Sequence, residues 1–179
     1  RCTKHNAEHF DAFRSDNYPS LAEVGIHIKY NYSAIHYPTV QRKLKIHTSF
    51  DNNIAILKIF PGIRQEVVEN ILNTPGLKGL VLETYGSGNA PTKKWFTEAL
   101  KKSVKKGMII LNVTQCQAGS VEMGRYETSE GLIKAGVISG FDITTEAAVT
   151  KLMFLLGQNI SRKQVISQLN KSISGEINM

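Results

Sequence analysis

Apolar and polar positions divide this chain into two parts. From Leu44 onward, short apolar runs alternate with stretches of helical periodicity. Residues 53–60, NIAILKIF, read as a buried strand closed by Pro61 and Gly62. Over residues 63–72 the apolar side chains of Ile63, Val67, Val68, Ile71 and Leu72 recur at helical spacing, until Asn73, Pro75 and Gly76 stop them. A strand over 79–83, a helix over 92–106 and a strand over 108–113 follow. The tail predicts helices over 144–157 and 162–172, the first capped by Asp142 or Thr144 with Glu146 in its opening turn. Between them and the third strand, residues 131–139 predict a helical turn leading into a short fourth strand. Strands separated by helices call for right-handed crossovers. The fold class is therefore α/β, a small parallel sheet flanked by helices.

Residues 1–43 follow neither period. The first 40 residues hold Tyr18, Tyr30, Tyr32 and Tyr37 of the 6 tyrosines, and all of the 5 histidines but His47. A segment this long without its own regular structure is either disordered or packed against something, and its aromatic content favours packing. Residues 1–43 read as an irregular connector, containing a short helix or hairpin, that leads into an α/β domain over 44–179.

The 179 residues suffice for one domain of ordinary size, and 41% hydrophobic with 21% charged residues is the balance of a globular chain. No apolar run approaches the roughly 20 residues that cross a bilayer, and RCTKHNAEHF does not read as a secretory leader. Only Cys2 and Cys116 are present, which argues against a disulfide framework and for reduced thiols in a cytoplasmic protein. A net charge of +7 raises the question of nucleic acid. Its distribution answers it. Lys93, Lys94, Lys101, Lys102, Lys105 and Lys106 share a predicted helix whose other face carries Trp95, Phe96, Ala99, Leu100 and Val104, the pattern of a solvated amphipathic helix.

Candidate chemistry gathers where strands end. Residues 77–91, LKGLVLETYGSGNAP, break from an apolar run into a glycine turn carrying Thr84, Tyr85, Ser87 and Asn89. Residues 108–120, MIILNVTQCQAGS, repeat the pattern and present Thr114, Gln115 and Cys116. In open α/β sheets ligands bind at the carboxyl ends of strands, so both edges are expected to face one crevice. On the residues alone, Asn89 fits either a turn or helix cap held by Pro91 or an amide that meets a ligand. Cys116 has no neighbouring histidine to activate it, and Ser87 sits in GSG rather than in a GxSxG elbow. His5 and His9 are four apart, but no third ligand accompanies them and no metal site is expected.

The GSGNAP turn, the NVTQC strand end, the SVEMGRY segment over 120–126 and the FDITTEAAVTKL helix entry over 141–152 resemble the C-terminal domain of type I, cytoplasmic-type L-asparaginases. HFDAFRSDNYPSLAEVGI, residues 9–26, is similar to the connector that precedes that domain. The resemblance covers nearly the whole chain and implies hydrolysis of asparagine to aspartate and ammonia without a metal or organic cofactor. Members are about twice this long, and their catalytic threonines, lysine and aspartate lie on an N-terminal domain in segments resembling TGGT and TDT. Neither string occurs here.

The resemblance implies roles for particular positions. Asn89 corresponds to an asparagine at a subunit interface beside the neighbouring subunit's substrate site. Tyr126 corresponds to a tyrosine that reaches across the dimer interface toward the partner's catalytic threonine. Thr114 and Cys116 match a second, regulatory asparagine site of some relatives, which carry an arginine where Glu83 stands. A glutamate would repel the ligand carboxylate that an arginine fork holds, so regulation there is not expected. The implied partners are asparagine, the chain's own N-terminal domain and further copies in at least a dimer, with neither nucleic acid nor membrane. Two other readings carry over. One is a subunit of the amidotransferase that makes glutaminyl-tRNA, which uses a similar domain pair; the other is a non-catalytic module that binds a small amino acid.

Overall fold

The computed structural model describes residues 1–41, 43–124 and 127–178. Thirteen elements follow one another among them. Two small antiparallel hairpins come first, β1 (Thr3–Lys4) with β2 (Phe13–Arg14), and β3 (Ala22–Val24) with β4 (Ile28–Tyr30). Then come β5 (Ile54–Lys58), α1 (Gln65–Leu72), β6 (Gly79–Thr84), α2 (Lys94–Lys105), β7 (Ile109–Thr114), α3 (Glu127–Ala135), β8 (Ile138–Ser139), α4 (Thr145–Gly157) and α5 (Arg162–Leu169). Strands β5 to β8 form one parallel sheet in the order β5-β6-β7-β8.

Both faces of this sheet are covered, as an all-parallel sheet requires. Leu80, Leu82 and Ile110 point to one side, where Val68 and Leu72 of α1, Phe96 and Leu100 of α2 and Leu132 of α3 close over them. Val81, Ile109, Leu111 and Val113 point to the other, against Ala148, Leu152 and Leu155 of α4 and Val165 and Leu169 of α5. The result is a three-layer α/β/α body. A fully buried leucine or phenylalanine stabilises by about 1.5–3 kcal/mol, so these two clusters supply the main driving force for folding. Gly79 makes the contact with α4 possible, because a Cβ there would lie 2.7 Å from Leu152 Cδ2.

Element boundaries shift from the expected ones for local reasons. Ile63 lies before α1, buried in the turn after Gly62 rather than on the helix. Pro91 and Thr92 remain extended and α2 begins only after Lys93. The short turn expected over 131–139 is instead a helix of 9 residues that opens at Glu127, with Gly131 inside it. A Cβ at Gly131 would meet Thr97 Cγ2 at 2.8 Å, so this glycine serves close packing of α3 on α2 and not a turn. Thr144, not Asp142, caps α4: its hydroxyl accepts from the Ala147 amide at 3.4 Å. Asp142 holds the C-terminal tail, accepting from Asn178 N at 2.8 Å and Asn178 Nδ2 at 2.6 Å.

The connector is hairpins and extended chain. Its second hairpin is amphipathic. Ala22↔Tyr30 and Val24↔Ile28 are cross-strand pairs on one face, and Glu23↔Lys29 lies on the other. The apolar face is open: Val24 is 80% and Ile26, at the tip, 98% exposed. A lone two-stranded hairpin is marginal in water, and an apolar face of this kind is built to be covered. The first hairpin is fastened to the body. Asn17 Nδ2 donates to the carbonyls of Gly119 (3.0 Å) and Asp142 (2.9 Å), its Oδ1 accepts from Gly119 N at 2.8 Å, and Thr3 Oγ1 donates to Glu146 Oε1 at 2.6 Å.

Candidate functional site

Strands β6 and β7 end in register, Thr84 beside Thr114, so the segments that follow them emerge from the same sheet edge. After β6 the chain closes at once into a turn. Tyr85 N donates to Asn89 O (2.9 Å), while Asn89 N and Gly88 N both donate to Tyr85 O (2.8 and 3.0 Å). The path requires Gly86 at φ +46° and Gly88 at φ +112°, conformations that favour glycine. Asn89 thus stands at the carboxyl end of a central strand on a turn closed by three main-chain hydrogen bonds. Burial pushes the Tyr85 phenol above its usual pKa.

The segment over 120–124 lies against this turn. Ser87 O accepts from Glu122 N at 2.9 Å, and Val121 packs beneath Gly88, where an added Cβ would meet Val121 Cγ1 at 2.9 Å. Val121 N in turn donates to Phe141 O at 2.8 Å. The GSGNAP turn therefore packs against residues 121–122 of the SVEMGRY segment. Tyr126 itself lies outside the described residues.

A second arrangement surrounds the end of β7. Gln115 donates its side-chain amide to Ile59 O (2.7 Å) and Glu83 O (2.9 Å), and its main-chain N–H to Thr84 O (2.9 Å). It staples three strand ends together. Cys116 N donates to Thr114 Oγ1 at 3.0 Å. Glu83 accepts from Thr145 Oγ1 at 2.6 Å and faces Lys58 Nζ at 3.7 Å. Glu83, Thr114, Gln115, Cys116 and Thr145, with Thr3 and Asn17, line a cleft of about 240 Å³, walled by the connector on one side and the start of α4 on the other. Glu146 also borders it; burial opposes its ionisation, but the Thr3 hydroxyl and the helix backbone outweigh that and hold its pKa below the usual value. The cleft is thus polar and acidic. The ends of β6 and β7 meet here, through Glu83 and through Thr114 to Cys116, while Asn89 is not among the residues that line the cleft.

A larger cavity of about 550 Å³ lies between the chain's first residues and α4, lined by Arg1, Cys2, Phe50, Phe154 and Ile173 among others. It holds neither Asn89 nor Cys116. Both cysteines are free and exposed, and no cluster of three histidine, cysteine or acidic side chains fit for a metal occurs among the described residues. No described helix is long and apolar enough to cross a membrane.

Sequence reasoning missed Gln115 as a staple, and it passed over Asn17 and Asn112. Asn112 interrupts the apolar run of β7, which was a signal; nothing local distinguishes Asn17.

Residues 53–169 match the family model described as the glutaminase/asparaginase C-terminal domain. The chain belongs to that family. It is 40% identical over 177 residues to L-asparaginase 1 of Escherichia coli strain K12, covering 99% of this chain and 52% of that protein. It is 38% identical to the 60 kDa lysophospholipase of Mus musculus over 180 residues, all of this chain and 32% of that one. Among solved structures, L-asparaginase I from Vibrio cholerae superposes with a TM-score of 0.92 at 37% identity, covering 100% of this chain and 54% of its own. The chain thus spans about half the length of these two L-asparaginases. The four-stranded parallel sheet lies within the matched residues 53–169, and the superposition on the Vibrio cholerae protein also takes in residues 1–52.

Proposed function

We propose that this chain is the C-terminal part of an L-asparaginase, supplying subunit contacts and substrate-side groups to a centre whose nucleophile lies elsewhere in the protein. The observation that carries this reading is the match over the entire chain, at 37–40% identity, to two proteins named as L-asparaginases, each about twice as long. In the reaction a threonine hydroxyl attacks the side-chain amide carbon of asparagine, the C–N bond breaks and ammonia leaves with a proton. Water then attacks the acyl ester, releasing aspartate and restoring the hydroxyl. Donors aimed at the developing oxyanion would supply much of the acceleration.

Asn89 and Tyr126 are the residues assigned here to the substrate side, reaching a neighbouring subunit's centre. The rigid turn under Asn89, tied to the 120–124 segment, supports this: groups that act on a reacting centre must be held within a fraction of an ångström. The connector, with its open apolar hairpin face, is assigned to contact the rest of the protein, and at least a dimer is required if the site is shared. The low cysteine count and two free thiols fit a cytoplasmic setting.

The cleft at Glu83, Thr114 and Cys116 is read as a poor site for a free amino acid. A ligand carboxylate entering it would face Glu83 and Glu146 rather than an arginine fork. The test of the whole reading is ammonia release by the full-length protein, with L-asparagine, L-glutamine and a lysophospholipid offered separately. Turnover of asparagine is expected; fatty-acid release in place of ammonia would replace the reading.

A further inference from the structure

The floor beneath the Asn89 turn is polar where an apolar floor would cost less. Asn112 interrupts the apolar run of β7, IILNVT, two residues before the closing Thr114, and is 0% exposed. Its Oδ1 accepts from Thr84 Oγ1 at 2.7 Å, and Thr84 is equally buried at the end of the adjacent strand. The main-chain carbonyl of Asn112 accepts from Gly140 N at 2.7 Å, which fixes the residue from the β8 side. Its side-chain nitrogen, Nδ2, is buried and has no acceptor among the described residues. A buried donor without a partner is destabilising, whereas replacing both members of such a pair by apolar groups of similar shape is close to neutral. Stability alone does not account for an amide here.

The position of that nitrogen suggests what it does. A Cβ built on Gly88 would lie 3.5 Å from Asn112 Nδ2 and 2.9 Å from Val121 Cγ1. The α-carbon of Gly88 is therefore seated on Asn112 and Val121, and the next residue is Asn89. With Oδ1 anchored by Thr84 and the backbone anchored by Gly140, the direction of Nδ2 is set, toward the underside of the turn.

We infer that Asn112, held by Thr84, is a positioning residue for Asn89, acting through the Gly88 peptide to keep the turn at the height and orientation in which Asn89 meets the reacting group. It touches no substrate. The inference rests on the assignment of Asn89 under the proposed function, but its structural half stands separately. Polar pairs of this kind specify one arrangement where an apolar pair would permit several.

The test replaces both partners, Thr84→Val with Asn112→Val, in the full-length protein. Hydrogen exchange of the peptide spanning 85–89 is followed by mass spectrometry, together with kcat, KM and Tm. The expected result is a Tm at or near that of the wild type, exchange in the turn faster by about tenfold, and kcat lowered about tenfold with KM within about twofold. A purely structural pair would instead lower Tm and leave the turn's exchange in step with the rest of the sheet. Wild-type exchange at 85–89 in a folded double variant overturns the inference. If the double variant does not fold, Thr84→Val alone releases the Oδ1 anchor, and unchanged turn exchange there is equally decisive against it. If the wild-type protein itself releases no ammonia, the functional reading fails, while the exchange comparison still decides the role of Asn112.

Discussion

Ser87 O and Glu122 N are 2.9 Å apart, and this one hydrogen bond joins the turn that carries Asn89 to the segment that leads to residue 126. The two stretches are 35 positions apart in the chain by their residue numbers, yet they pack against each other, because Val121 also fills the space under Gly88. Disturbing either side should therefore disturb both.

Gly88→Ala makes this concrete. The new Cβ would stand 2.9 Å from Val121 Cγ1, and the backbone there has φ +112°. Steric crowding and an unfavourable backbone conformation together should cost about 1–3 kcal/mol of stability. Chemical denaturation should show a lower midpoint with an unchanged slope. Gly107→Ala is the control: it shares a positive φ, +104°, but has open space around it, so its loss should be smaller.

Under the proposed function, Asn89→Ala and Tyr126→Phe should each lower kcat/KM of the full-length protein by roughly tenfold or more, about 1.4 kcal/mol, with little change in Tm. Steady-state kinetics on both variants checks this. Wild-type values in either would remove that residue from the site.

Glu83 predicts plain saturation kinetics. Because cooperativity needs a ligand that distinguishes two states, and the cleft beside Cys116 presents Glu83 and Glu146 to an incoming carboxylate, asparagine should not activate its own hydrolysis there. The rate should rise hyperbolically with asparagine, and Cys116→Ala should leave the curve's shape alone. A sigmoidal curve made hyperbolic by Cys116→Ala would show that the cleft compensates for the missing arginine.

Acid should loosen the tail before the sheet. Lys151 is buried in α4 and its ammonium reaches Glu176 Oε1 at 2.7 Å and the carbonyls of Leu169 (3.1 Å) and Lys171 (2.6 Å). Burial would push the Glu176 carboxyl up, but the Lys151 ammonium and the amides of Ser174 and Ile173 override it and hold the pKa down to about 2, from an ordinary 4.5. A depressed carboxylate pKa stabilises the fold fully above the unfolded value and progressively less as pH falls through the folded one. Stability should drop between about pH 4.5 and 2. Glu176→Gln should flatten that dependence and cost about 2–4 kcal/mol at neutral pH by leaving a buried ammonium short of its counter-charge. Thermal melts across this pH range, on both proteins, give the comparison.

The body of the fold was legible because its signals are long. Apolar runs ended by Pro61, Gly62 and Gly86, and the helical spacing of α1 and α2, mark elements whose burial dominates their energetics. Short features were legible only in part. The short fourth strand lies where it is expected, as β8 at Ile138–Ser139, but the connector allowed a hairpin only as one of two readings, because its strands have 2–3 residues, below the length at which alternation can be read. The α3 helix was underestimated because Gly131 reads locally as a breaker, whereas its reason is contact with Thr97. Lys151 looks like a surface lysine until Glu176 and the tail carbonyls surround it. At the site, the turn carrying Asn89 was visible in its glycines. The acidic cleft at the ends of β6 and β7 was legible only in part, because its walls depend on where Thr3, Asn17 and α4 pack.

The most direct test of the account is an ammonia-release assay on the purified 179-residue chain, run alone and after mixing with the remaining half of the full-length protein. Removing the nucleophile from an acyl-transfer centre costs several orders of magnitude in rate. The account predicts no turnover of asparagine by the chain alone and recovery of turnover in the mixture. Hydrolysis by the chain alone would contradict it, since the chemistry would then reside in these residues.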